Sequence, residues 1–250
     1  MESENFISGI YNFCDRWCEK CELSYRCKLF ADEQEEVKEV KNSDDFNEII
    51  SKCFQKTIAF IYEIVSEKGI DFNEVVAYKN AEISRKKSFN ELKKQPIVES
   101  SISYSKKVHQ FLKENNYFEH EKSNYIRQIE MEIEVEKNEK SLKTINESLN
   151  IINWYQFQIS VKLTSAFRYF PHDSDFEDEI QNMHHAAAKI ALIGIENSIK
   201  AWHCILEIAD AIKEDFILNI FIQLVQLKKN IFKQFPLIDE FKRPGFDNNF

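Results

Sequence analysis

The sequence predicts an all-α protein, a bundle of about seven helices. Breakers are scarce, with 4 Gly and 4 Pro among 250 residues, too few for a turn-rich all-β chain. Between the breakers apolar residues recur at a period near 3.6, and no stretch alternates as a half-buried strand does. Residues 121–170 contain neither Gly nor Pro. Hydrophobic residues make up 43% and charged residues 30%, a globular rather than a disordered composition.

Taken in chain order, Phe46, Ile50, Cys53, Thr57, Ile61 and Ile64 form the first apolar stripe. Gly69 follows at a C-cap position. Asp71 with Glu74 three residues later has the form of a capping box, opening a helix expected to reach about Gln95. A shorter helix follows Pro96, from about Val98 to Asn115. Read as one helix, residues 121–170 would be roughly 75 Å long, whereas a compact chain of this size has a radius of gyration of about 18 Å. The bundle is therefore elongated or the segment breaks, and the polar run Glu136, Lys137, Asn138, Glu139, Lys140, Ser141 is the expected break. Its stripe is Leu142, Ile145, Leu149, Ile152, Tyr155, Ile159, Leu163 and Ala166.

The next helix carries two adjacent stripes. One is Ala187, Ala191, Gly194, Ser198, Ala201, Ile205, Ile208, and the other Ala188, Leu192, Ile195, Ile199, Trp202, Leu206, Ala209. A face this wide belongs to a central helix, and its small residues let a neighbour approach closely. A final helix, Asp215 to Phe235, closes the core. Residues 1–30 are expected to form a cysteine-bearing segment packed on a bundle of residues 31–250, a single domain overall.

The formal charge of −9 and pI of about 5.3 oppose general attraction to nucleic acid, which rests on neutralising phosphates. The local basic run Arg85, Lys86, Lys87, Lys93, Lys94 reads as a solvated helix face. No apolar run reaches the ~18 residues of a membrane span. The opening MESENFISGI carries acids and no basic stretch, unlike a secretory signal, so a reducing cytoplasm is expected. There, clustered cysteines bind metal more often than they form disulfides.

Four of the six cysteines lie in CDRWCEKCELSYRC, from Cys14 to Cys27. The spacing is C-x3-C-x2-C-x5-C, and Cys14, Cys18, Cys21 and Cys27 are the expected ligands of one metal centre. On an intact helix Cys14, Cys18 and Cys21 share a stripe, but Cys14 and Cys21 stand about 10 Å apart along the axis. Thiolates on one zinc lie within roughly 4 Å of each other. An iron–sulfur cluster spreads its ligands over several irons, so a 4Fe–4S cluster is the leading expectation and zinc the alternative. The role would be structural, electron-transferring or redox-sensing, with Trp17 and Tyr25 as candidate shields. Cys53 and Cys204 read as core residues.

The run CEKCELSYRC resembles the CxxC-x5-C signature of iron–sulfur-stapled nucleases of the restriction-endonuclease-like fold, in which the cluster is structural. The acidic and lysine nuclease motif is absent, so no nuclease activity is implied. The Cys14, Cys18, Cys21 spacing also resembles that of radical-SAM enzymes, whose barrel strands this chain lacks. CDRWCEKC and KIALIGIENSIKAW together are similar to uncharacterised bacterial all-helical proteins, which implies the helical fold and no activity.

Other constellations have plainer readings. No Glu-x-x-His pair occurs, so a ferritin-like di-iron site is not expected. Glu196 and Lys200 have surface ion-pair spacing, with His203 and Glu207 on the same face. Glu130, Glu132, Glu134 and Glu136 read as solvated. His172, Asp173, Asp175, Glu177, Asp178 and Glu179 precede a helix bearing His184 and His185. They suit a helix N-terminus, or a carboxylate–histidine metalloenzyme site as a third reading. A helical protein–protein interaction module, metal-free or with a structural zinc site, is the remaining alternative, its partner an unknown protein or a second copy of the chain in a homodimer.

Overall fold

The structure, a computed structural model, describes residues 6–41, 51, 54–55, 58–59, 62, 88–114, 117–168, 178–208 and 211–247. Seven α-helices can be bounded among them: α1 (Lys28–Lys41), α2 (Phe89–Leu92), α3 (Pro96–Glu114), α4 (Tyr117–Glu130), α5 (Val135–Arg168), α6 (Met183–Leu206) and α7 (Ala211–Gln234). No strand occurs among the described residues, so the all-α expectation holds. The stripe from Phe46 to Ile64, Gly69 and the Asp71 capping box lie outside the described residues.

The chain divides into two compact units. One comprises residues 1–12 and 16–87; the other comprises residues 13–15 and 88–250. The expected cysteine segment of residues 1–30 thus falls in the first unit apart from Phe13, Cys14 and Asp15.

In the second unit α2 opens with a full capping box. Ser88 Oγ accepts from the Glu91 amide at 3.3 Å, and Glu91 Oε2 accepts from the Ser88 amide at 2.7 Å. Within the helix expected to run through to Gln95, a helix thus starts at Phe89, because Ser88 supplies a start signal, and it ends at Leu92; the residues from Asp71 to Lys87 lie outside the described residues. Helix α3 begins at Pro96, whose fixed φ suits the first helical position.

The long segment does break, five residues earlier than expected. Helix α4 ends at Glu130, and Glu132 (φ 56°) and Glu134 (φ 41°) adopt left-handed backbone before α5 starts. Asn138 then fastens the joint, donating from Nδ2 to the Ile133 carbonyl at 2.8 Å and to Gln128 Oε1 at 3.0 Å. The polar run 136–141 lies in the first two turns of α5, and Asn138 in it is buried.

Helix α5 buries Ile145, Leu149, Ile152, Tyr155, Ile159, Leu163 and Ala166 as the stripe predicted, with Leu142 half-buried. Its most extensive partner is α6; α2, α3 and α4 also pack on α5, and α7 packs on α3 and α6. A Cβ at Gly194 would lie 2.9 Å from Tyr155 Cδ1 and 3.2 Å from Ile159 Cγ1. Glycine is what permits this α5–α6 approach. Between α3 and α6 the core holds Tyr104, Ser198 and Trp202, all fully buried. Burial, the largest influence, pushes the Tyr104 phenol pKa upward. On α7, Ile217, Ile220, Leu224, Leu227 and Ile231 face inward, while Leu218, Ile222 and Val225 form an exposed apolar stripe.

Candidate metal centre

The first unit's cysteine segment is not a straight helix. Residues Cys18–Lys20 and Ser24–Arg26 are single 3-10 turns, and the cysteines after them, Cys21 and Cys27, have extended backbone. Hydrogen bonds run in three-residue steps: Cys21 amide to Cys18 carbonyl (3.2 Å), Ser24 amide to Cys21 carbonyl (3.3 Å), Cys27 amide to Ser24 carbonyl (3.1 Å). In a 3-10 turn side chains at i and i+3 eclipse, so Cys18 and Cys21 lie on one side of a single tight turn. The spacing objection to zinc presumed an intact helix from Cys14 to Cys21, and the segment does not form one.

Around this ladder the described residues are thinly packed. Between residues 6 and 35 only Ile10 is buried. The Ile7 amide donates to the Arg26 carbonyl at 3.0 Å, and Arg16 (φ 60°) lies over the Tyr11 ring and 3.9 Å from Glu33. Trp17 is half-buried, but Tyr25 is 73% exposed and does not serve as the expected shield.

Cys14 belongs to the second unit, and its neighbours are gripped there. Phe13 packs against Phe241 with ring centroids 6.2 Å apart. The Asp15 carbonyl accepts from Trp154 Nε1 at 3.2 Å and from Gln158 Nε2. The Asp15 carboxylate accepts from the Tyr155 hydroxyl, which accepts in turn from Asn197 Nδ2 at 3.2 Å. Burial, then the adjoining Asp15 carboxylate, pushes the Tyr155 phenol pKa well up. Sequence reading missed this grip. No local pattern marks Asp15, because its partners lie 139 to 143 residues away.

All four cysteines are half-buried, and the described cysteines are thiols rather than disulfides. Among the described residues no three His, Cys, Asp or Glu side chains form a ready-made ligand cluster. The donor chemistry of the four thiols suits zinc and an iron–sulfur cluster alike.

The other candidates have structural partners. His172, Asp173, Asp175 and Glu177 lie outside the described residues. Asp178 caps the turn ahead of α6, accepting from the amides of Ile180 (2.7 Å) and Gln181 (2.6 Å), which hold its carboxyl pKa down. Asn182 is the N-cap of α6: its Oδ1 accepts from the His185 amide at 2.9 Å, and its Nδ2 lies 2.9 Å from His185 Nδ1. Glu196 pairs with Lys228 of α7 at 2.8 Å rather than with Lys200, because the neighbouring helix offers the closer cation. His203 lies 3.7 Å from Glu207. Cys204 is half-buried, and Cys53 lies outside the described residues. Lys93 rests over the Phe89 ring at 4.3 Å, and Arg85, Lys86 and Lys87 lie outside the described residues.

His185 makes stability pH-dependent. Burial, the largest influence, lowers its pKa below the ordinary 6.5. As pH falls through about 6.5 the unfolded chain takes up the proton first, so stability is full above that value and declines toward the lower native pKa. Thermal melts between pH 7.5 and 5 should show this decline in wild type and a flatter profile in His185→Gln. Equal slopes would exclude His185 as the source.

Comparison with protein families, curated proteins and solved structures finds no match to the chain. No described helix is long and apolar enough to cross a membrane.

Proposed function

We propose that Cys14, Cys18, Cys21 and Cys27 bind one metal centre, an iron–sulfur cluster of 4Fe–4S type, whose role is structural. The observation that carries this reading is the three-residue ladder Cys18–Cys21–Ser24–Cys27, set in a segment with almost no core of its own. Neither 3-10 turn contains a buried residue. Short segments that cannot bury enough apolar surface need a staple such as a disulfide or a metal. Thiolate sites are seldom preformed, and their binding energy is released as folding energy. Loading would draw the turns around the metal. Cys14 joins the set by chain proximity, four residues before Cys18.

Zinc is the second reading, favoured by the single tight turn between Cys18 and Cys21. Metal and acid-labile sulfide analysis of anaerobically purified protein decides. Brown protein with iron and sulfide supports the cluster, and colourless protein with one zinc per chain supports the alternative. Protein with neither metal at stoichiometric level overturns both.

A further inference from the structure

We infer that Asp15 is the positioning residue for the Cys14 ligand, and that Tyr155, Trp154, Gln158 and Asn197 form the socket that holds it. This inference rests on the proposed four-thiolate centre and adds to it a set of residues that touch no metal. Three side chains of α5 donate to Asp15: Trp154 (3.2 Å) and Gln158 to its carbonyl, Tyr155 to its carboxylate. Asn197 of α6 donates to the Tyr155 hydroxyl at 3.2 Å. On the other side of Cys14, Phe13 packs on Phe241.

Cys14 is therefore flanked on both sides by residues whose backbone or side chain is committed to the second unit. The carbonyl oxygen of Asp15 uses both of its acceptor directions, which fixes the Asp15–Arg16 peptide plane, one residue beyond Cys14. Immediately after it Arg16 takes left-handed backbone (φ 60°), a conformation disfavoured for a non-glycine residue. With Phe13 held on Phe241 and Asp15 on α5, the Cys14 backbone between them is anchored before any metal arrives. Outer partners of this kind orient a ligand and typically account for about 10–100-fold in metal affinity.

The test titrates cobalt(II) into the full reduced chain without oxygen, reading the thiolate-to-cobalt charge-transfer band, with chelator competition for affinity. Wild type should give a four-thiolate spectrum. Asp15→Asn and Tyr155→Phe should bind about tenfold or more weakly and shift toward the spectrum of Cys14→Ser, while metal-free circular dichroism and melting stay near wild type. Tyr155→Phe provides the reading if Asp15→Asn fails to fold. In the Cys14→Ser background Asp15→Asn should have no further effect, since the two act through one ligand. Unchanged affinity and spectrum in the variants, or an equal loss with Cys14 already absent, overturns the positioning role and leaves the centre intact. A wild-type chain with no thiolate–cobalt band overturns the centre itself, and this inference with it.

Discussion

Replacing Cys18 and Cys21 together with serine is expected to abolish metal binding, taking iron or zinc from stoichiometric to background levels. The two thiols flank one 3-10 turn closed by the Cys21 amide. Serine hydroxyls do not replace soft thiolates, and two remaining cysteines leave a four-coordinate site half empty. The core of α3, α5, α6 and α7 contains none of the four residues, so helical circular dichroism should persist. Tryptic cleavage after Lys20 and Arg26 should quicken, because the segment buries only Ile10 among residues 6–35 and has lost its staple. Elemental analysis and timed proteolysis read the two effects. Stoichiometric metal in the double variant would refute the assignment.

Gly194→Ala should destabilise the second unit by about 1–2 kcal/mol, although alanine is the better helix former by roughly 1 kcal/mol. The new methyl would sit 2.9 Å from Tyr155 Cδ1 and 3.2 Å from Ile159 Cγ1. Neither neighbour yields easily. Tyr155 is 3% exposed and its hydroxyl is engaged by Asp15 and Asn197, while Ile159 is fully buried. Overpacking costs of about 1–3 kcal/mol exceed the propensity gain, so α5 and α6 must part or Tyr155 must leave Asp15. Urea unfolding of wild type and variant measures the balance. A more stable variant would mean that propensity wins and that the contact is soft.

Much of the helical architecture was legible because burial follows the 3.6 period. The stripe from Ile145 to Ala166 is buried as its spacing predicts, and the twin stripes of α6 are buried from Ala187 to Ile205 and from Ala188 to Trp202 except at half-buried Ile199, while Ile208 lies past the end of α6 and Ala209 outside the described residues. The Ser88–Glu91 capping box was readable in SFNE, and the longer apolar pattern across it masked the signal. The joint at residues 131–134 was not legible as such, since its left-handed positions are Glu132 and Glu134 rather than glycines. At the candidate centre the cysteine spacing was plain, but its conformation was not. Helical geometry was assumed where the chain steps by threes. Asp15 gave no sign at all, because its role exists only once α5 and α6 are in place.

That dependence has a consequence for synthesis. Asp15 leaves the ribosome some 140 residues ahead of Trp154, Tyr155 and Gln158, which at 5–20 residues per second is roughly 7–28 s. Closing a loop that long also places the contact among the slow, non-local steps of folding. For that interval residues 13–15 lack the partners they later hold. Cys14 is made long before the helices that grip its neighbour Asp15 have been translated.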